Sequence, residues 1–391
     1  MPAGPAHVAV VSFLAARAAP TGGFWIALAG GVALARTAER RGARLGFGAS
    51  VAAMLETVAI IGPARLGIPL TQAATAPMLG RLEARGVAFL PQFLACAAIR
   101  LLHNAATTAF FIWVIAGGLD AYAGTYDAIG RRVGIEVGTA DALGLTIAGL
   151  LAWTAFASTV QVLVYRRGLR NWERIEAAPG DATDIRRDMR DQRQSRAPAA
   201  PVASGRRRWD PRAITIAAAV AFALLLSGTS WPLLAAVAGA LAIAWVAAPT
   251  DREPVKTGLV FAAILAGGAL IFTLGGGLGL DEAASRAIRA ALLVLVATWM
   301  RAAAGAEGLR EVARRALGKL RRVPAANEAA LVLDSIESEG RLAAAGRALA
   351  DELGGVEKRP MPFVDAVLRW VVRESQARDA QSGARADTSR L

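Results

Sequence analysis

The sequence predicts an all-α, polytopic helical membrane protein with an amphipathic helical tail on the cytoplasmic side. Three observations carry this. Ala213 to Thr250 contains 38 residues without a charged side chain, Thr257 to Leu280 adds 24 more, and the 391-residue chain is 55% hydrophobic with a mean hydropathy of +0.41. A bilayer core about 30 Å thick takes roughly 20 apolar residues of helix, and only helices or closed barrels satisfy their own backbone groups there.

The first membrane block, residues 1–165, has short and interrupted apolar stretches. The run beginning at His7 lacks the basic start and clean cleavage site of a signal peptide, and further apolar runs follow it, so it reads as the first membrane helix. Ala19–Ala35 and Ala142–Tyr165 are continuous. Leu45–Gly62, Leu66–Gly80 and Val87–Leu119 carry Glu56, Pro69, Pro77, Pro91, Arg100 and His103. Six crossings fit, placing Arg36, Arg40, Arg41, Arg44, Arg81 and Arg85 inside and Asp120 to Asp141 outside; five or seven fit as well.

A polar linker over residues 166–212 follows, with 13 Arg, seven acidic residues and the run Ala-Pro-Ala-Ala-Pro, a composition that predicts partial disorder. Arg166, Arg167 and Arg170 end one span and Arg206, Arg207, Arg208 and Arg212 precede the next. Basic residues at span ends stay on the cytoplasmic side, which fixes the side of the linker.

The second block, residues 213–303, reads as four spans. The first runs near 213–228, Gly228-Thr229-Ser230-Trp231-Pro232 turns at the far interface, and the second returns to about Ala248. Thr257–Leu280 crosses outward, Asp281 and Glu282 face the exterior, and a segment ending near Met300 comes back. Only 11 uncharged residues separate Arg289 from Arg301, so Arg289 must reach the outer interface or face protein.

In the tail, residues 304–378, helical periodicity replaces hydrophobicity. Leu309, Val312, Ala316, Leu320 and Val323 share one stripe, and Arg310, Arg314, Arg315, Lys319, Arg321 and Arg322 fill the rest. Pro324 ends that helix; a second is expected over Asn327–Leu353 and a third from Pro362 to about Arg378. Leu342, Leu349 and Leu353, with Val364, Val367, Leu368 and Val371, give apolar faces that need a partner. Residues 379–391 read as a disordered tail.

The formal charge of +13 lies between and beyond the spans, where it suits the phospholipid bilayer, and no aromatic-and-basic motif points to nucleic acid. There is no Gly-x-x-x-x-Gly-Lys-Ser/Thr loop, so ATP hydrolysis by this chain is not expected. Two histidines, one cysteine and no His-Glu-x-x-His give no basis for a metal centre, a disulfide or any other cofactor.

The ionisable groups inside the first block are the candidates for chemistry, because a charge in hydrocarbon costs several kcal/mol unless paired or hydrated. Glu56 is read either as a cavity group for a polar solute or cation, or as the structural partner of Arg65 or Arg100. Arg100, His103 and Asn104, at i, i+3 and i+4, share a helix face and either line the same cavity or mark the end of a span. In the tail, Arg310, Arg314 and Arg341 are candidates to grip an acidic groove on a soluble partner through guanidinium forks.

The order of features from Ala290 to Leu353 resembles the T component of energy-coupling factor transporters. The residues are Leu292-Leu293-Val294-Leu295-Val296-Ala297-Thr298-Trp299-Met300-Arg301, then Gly305-Ala306-Glu307-Gly308-Leu309-Arg310, then Leu320-Arg321-Arg322-Val323-Pro324. The resemblance implies a membrane subunit that joins a substrate-capturing protein to paired cytoplasmic ATPases. The family's coupling helices carry Ala-Arg-Gly or Ala-Arg-Ser, whereas this tail offers Ser338-Glu339-Gly340-Arg341 and Gln376-Ala377-Arg378. The expected function is a non-enzymatic transport subunit of the cell membrane that couples a separate ATPase to uptake of a small solute. The alternatives are a membrane enzyme acting on a lipid or isoprenoid through Glu56 and His103, and a membrane scaffold.

Overall fold

The computed structural model describes residues 3–18, 22–63, 68–176, 209–248, 250, 252–320, 322–336, 339–356 and 359–388. Its described residues form fourteen α-helices. In the first block these are α1 (Ala3–Ala18), α2 (Gly23–Arg41), α3 (Ala43–Ile61), α4 (Ile68–Ala84), α5 (Phe89–Phe110, continued by a π turn, Phe111–Ala116), α6 (Leu119–Arg132) and α7 (Thr139–Glu176). Then come α8 (Pro211–Ser227), α9 (Trp231–Ala247), α10 (Arg252–Gly275), α11 (Leu280–Lys319), α12 (Pro324–Ser335), α13 (Glu339–Gly354) and α14 (Pro360–Thr388). Most of the linker, residues 177–208, lies outside the described residues, and so does Arg65.

The chain is a polytopic helical membrane protein. Five helices are long and apolar enough to cross a bilayer: Ala43–Ile61, Phe89–Ala116, Thr139–Ile175, Pro254–Gly275 and Leu280–Lys319; the apolar α8 and α9 are shorter. Leu102, Trp113, Leu151, Phe156, Ile216, Ile243, Val246 and Ile264 stand exposed on these helices. An apolar outer surface of this kind suits contact with acyl chains.

The expected first membrane helix is enclosed by protein. Every residue from Ala6 to Ala15 of α1 is buried, and α1 packs on α2, α3, α12, α13 and α14. A helix apolar on all sides needs such a shell. The shell answers the question raised by the tail's apolar faces: Leu342, Leu349 and Leu353 of α13 and Val364, Val367, Leu368 and Val371 of α14 share one core with Val8, Val11 and Phe13 of α1. The contact is close, since a Cβ added at Gly346 would meet the Leu14 Cβ at 3.2 Å. The Ala19–Ala35 stretch is likewise interior, because α2 buries Ile26 to Ala35 among α1, α3, α4, α7 and α14.

A second core joins Ala59 of α3 to α8, α9 and α11. The helix starts here follow local rules: Asp210 caps α8, its carboxylate accepting from the Arg212 amide at 2.9 Å, with Pro211 in the first turn, and Pro232 and Pro324 open α9 and α12. The last span and the basic amphipathic helix, expected as separate helices joined by a polar turn, are two helical segments that meet at a kink within α11. A single residue breaks it: Gly305 takes φ 70°, a left-handed conformation that glycine adopts without a Cβ clash, and bends the helix where the apolar span gives way to the basic stripe. The expected Asn327–Leu353 helix is instead two, because Ile336 takes extended backbone and buries its side chain. The helix α14 continues to Thr388, past the expected end near Arg378.

Contacts between loops show which ends lie together. The Trp231 indole donates to Asp281 at 2.9 Å, and the Thr125 hydroxyl donates to the Phe272 carbonyl at 2.6 Å, so the turns around 228–231 and 275–282 and the helix α6 share one end. Ion pairs gather at the other end: Arg166 and Arg170 hold Glu83, Arg167 holds Asp365, Arg44 holds Glu328, and Arg36 and Arg40 hold Glu173.

Candidate functional site

Arg100 lies on the face of α5 that packs on α7, in the middle of a span-length helix, and is 3% exposed. Its guanidinium donates to the Gln161 side-chain oxygen, and the Gln161 amide nitrogen donates in turn to Thr75 Oγ1 at 2.6 Å. Cys96, one turn before Arg100, places its thiol 3.4 Å from the same Gln161 oxygen. Three helices therefore meet at one amide. The spacing explains it: Thr71, Gln72 and Thr75 on α4, Cys96 and Arg100 on α5, and Ser158, Gln161 and Tyr165 on α7 each repeat at one helical face.

Among the described residues Arg100 has no carboxylate within ion-pair distance. Burying a lone guanidinium costs several kcal/mol unless something compensates its charge. Arg100 Nε is buried without a hydrogen-bond partner, and so are both amide atoms of Gln72, one turn before Thr75 on α4. The Tyr165 ring stands beside Gln161 and Cys96. Buried polar atoms are nearly always satisfied in folded proteins, so an unsatisfied donor on a buried cation marks a place suited to a polar, anionic ligand.

The other expected site residues divide between two places. Asn104, one turn beyond Arg100, donates to Thr154 Oγ1 at 3.2 Å and reinforces the α5–α7 contact. His103 is half-buried on the flank of α5. Glu56 is elsewhere: fully buried on α3, it receives the Arg310 guanidinium through two bonds, Nε to Oε2 at 2.7 Å and a second to Oε1. Its partner is thus Arg310 of α11. Apart from α4, the helices that pack on α3 differ from those that pack on α5, so the expected grouping of Glu56 with Arg100, His103 and Asn104 in one cavity is corrected.

Arg310 is corrected by the same contact. Expected as an exposed grip for a soluble partner, it is 14% exposed and turned inward, with Glu307 as a further partner at 2.8 Å. The reason is the bend at Gly305, which brings the first basic turn of the amphipathic segment against α3. Arg314 remains half-exposed and pairs with Glu311. The side chain of Arg341 lies outside the described residues.

The long helix α11 holds three further buried arginine contacts. Arg286 donates to the Ala116 carbonyl at 2.9 Å, Arg289 to the Val114 carbonyl, and Arg301 to the Ile60 carbonyl at 2.8 Å. Arginines can satisfy carbonyls at helix ends, and here they fix the π turn and the end of α3 to the second block. Arg289 faces protein, the second of the two positions its sequence context allowed.

Sequence reasoning passed over Gln72, Thr75, Ser158 and Gln161. A signal was present: Gln161 is the lone amide in the Ala142–Tyr165 run, and Thr71-Gln72-x-x-Thr75 is a polar stripe in an otherwise apolar helix. The described residues hold no group of three or more His, Cys, Asp or Glu placed to bind a metal. The chain stands as an all-α polytopic membrane protein that no protein-family model, curated protein or solved structure matches.

Proposed function

We propose that this chain is an integral membrane transport subunit that holds a small anionic solute at Arg100 and works with a separate cytoplasmic ATPase, as a T component does. The observation that carries the reading is the buried Arg100 guanidinium, held by Gln161 without a carboxylate among the described residues and with its Nε lacking a partner. Such a guanidinium offers donors to a carboxylate inside a low-dielectric layer, where charge-assisted hydrogen bonds are strong. In this reading the arginine-rich end faces the cytoplasm of the cell, carrying the linker and the tail. Arg314, Arg315 and Lys319 stay exposed along the end of α11 and face the ATPase, while the Arg310–Glu56 pair passes the motion of that helix to α3.

Retention of radiolabelled acetate, lactate and succinate by the purified chain in nanodiscs tests the solute site. Retention of at least one that is lost in Arg100→Gln supports the reading; no retention of any counts against it. Copurification of a nucleotide-binding protein, lost in Arg314→Glu with Arg315→Glu, tests the coupling.

The second reading is a membrane scaffold. It cannot use the apolar faces of α13 and α14 for docking, because they pack on α1 of the same chain. Solute retention that depends on Arg100 separates transport from a scaffold. In the enzyme alternative Glu56 would have to act while paired with Arg310, and His103 lies on a helix with mostly different packing partners.

A further inference from the structure

A cleft of about 360 Å³ opens at the arginine-rich end, lined by Arg36, Thr37, Arg40 and Arg41 of α2, Trp172 of α7 and Ser375 of α14. We propose that it is a phosphate-binding site, taking the phosphate of an anionic phospholipid headgroup or of a soluble phosphate. The proposal stands apart from the transport reading and uses none of its residues.

Four of the lining residues follow from one helix face, since positions 36, 37, 40 and 41 are i, i+1, i+4 and i+5 on α2. Three guanidiniums line the cleft, and carboxylates hold Arg36 and Arg40. Glu39 takes one nitrogen of Arg36, and Glu173, whose side chain is 71% exposed, bridges Arg36 at 3.2 Å and Arg40 at 2.7 Å. Glu173 therefore sits at the mouth, where an incoming anion can replace it.

The interior of the cleft is built. Trp172 is buried, and its ring lies 5.8 Å from the Arg36 guanidinium carbon, within cation–π range. With its two terminal nitrogens on carboxylates, Arg36 keeps Nε, a buried donor without a hydrogen-bond partner. The second such donor comes from another helix: Ser375, 5% exposed, has a buried Oγ that also lacks a partner. Donors arriving from α2 and α14 suit the tetrahedral oxygens of phosphate better than a flat carboxylate, and planar arginine forks are the side chains best shaped for it.

The test uses the full chain in phosphatidylcholine nanodiscs, titrated calorimetrically with inorganic phosphate, and in parallel in discs of mixed phosphatidylcholine and phosphatidylglycerol analysed by native mass spectrometry for retained lipid. Ser375→Ala and Arg40→Gln are the variants, each checked for an unchanged melting temperature in detergent. The expected result is binding in at least one arm, weakened about tenfold by each variant, the size of a lost charge-assisted hydrogen bond. Phosphatidylglycerol retention without phosphate titration assigns a lipid source, and phosphate titration without lipid preference assigns a soluble one; both support the site. Binding in neither arm, or variants that bind as the wild type does, overturns it. If a variant melts early, Arg36→Lys replaces it. That change keeps the charge over Trp172 but removes Nε, and wild-type binding by it also overturns the proposal.

Discussion

Arg310 and Glu56, 254 residues apart in sequence, form a two-point guanidinium–carboxylate pair whose carboxylate is sealed from solvent. The pair joins the amphipathic end of α11 to α3. It ties the C-terminal half of the chain to the first block.

Replacing Arg310 takes the two-point partner from a sealed carboxylate, whereas Glu56→Gln leaves Arg310 paired with Glu307. Arg310→Met is expected to lower stability by about 3–5 kcal/mol and Glu56→Gln by less, whereas Glu56→Met combined with Arg310→Leu falls much closer to wild type than Arg310→Met. Thermal unfolding in detergent reads all the variants. Additive losses in the double variant would show that the two residues do not act as a pair.

The next expectation concerns α2 and α7. A Cβ on Gly31 would lie 1.8 Å from the Tyr165 hydroxyl oxygen and 2.9 Å from its Cζ. Gly31→Ala should therefore cost about 1–3 kcal/mol through overpacking, with partial recovery when Tyr165→Phe removes the hydroxyl. Melting temperatures that do not respond to Tyr165→Phe in the Gly31→Ala background would contradict this packing.

Cys96 is the lone cysteine of the sequence and is fully buried beside Gln161. A membrane-permeant maleimide should leave the native protein largely unlabelled and modify it fully after denaturation in dodecyl sulfate. Gln161→Ala opens space next to the thiol, so labelling of the folded variant should speed up. Equal rates in the two proteins would mean that Gln161 does not cover the thiol.

The enclosure of α1 predicts that a charge placed in its shell is severe. Leu349→Asp and Val367→Asp put an unpaired carboxylate among fully buried apolar side chains and are expected to abolish monodisperse protein. Arg347→Asp on the exposed side of α13 should leave the size-exclusion profile unchanged. Normal profiles for the two core variants would remove the shell.

For orientation, cysteines placed at Arg206 and at Lys319 in a Cys96→Ser background should react with an impermeant maleimide from the same side of a sealed vesicle. Opposite sides would refute the cytoplasmic assignment of the linker and the tail.

The class of the fold was legible because it depends on local quantities. Runs without charge, such as Ala213–Thr250, name a membrane helix by length alone, and Pro232 and Pro324 mark helix boundaries within a few residues. The partners were not legible. Glu56 had Arg65 and Arg100 nearby in sequence, yet the residue that binds it is brought over by a bend at Gly305 that no periodicity reveals. The same holds for the tail. Its apolar faces were plain in the spacing of Leu342, Leu349 and Val364, but α1 read only as a first membrane helix, because composition does not tell lipid from protein as the solvent of an apolar surface. Of the polar group at Arg100, the charge was visible, whereas its meeting with Gln161 and Thr75 required the packing of three helices.

The helix at residues 3–18 is translated well before the two helices that wrap it, over residues 339–354 and 360–388. Its greasy surface must therefore be sheltered by the membrane or a chaperone until they emerge. The wrap closes only on that late arrival, and any fault in the intervening message strands a helix already made.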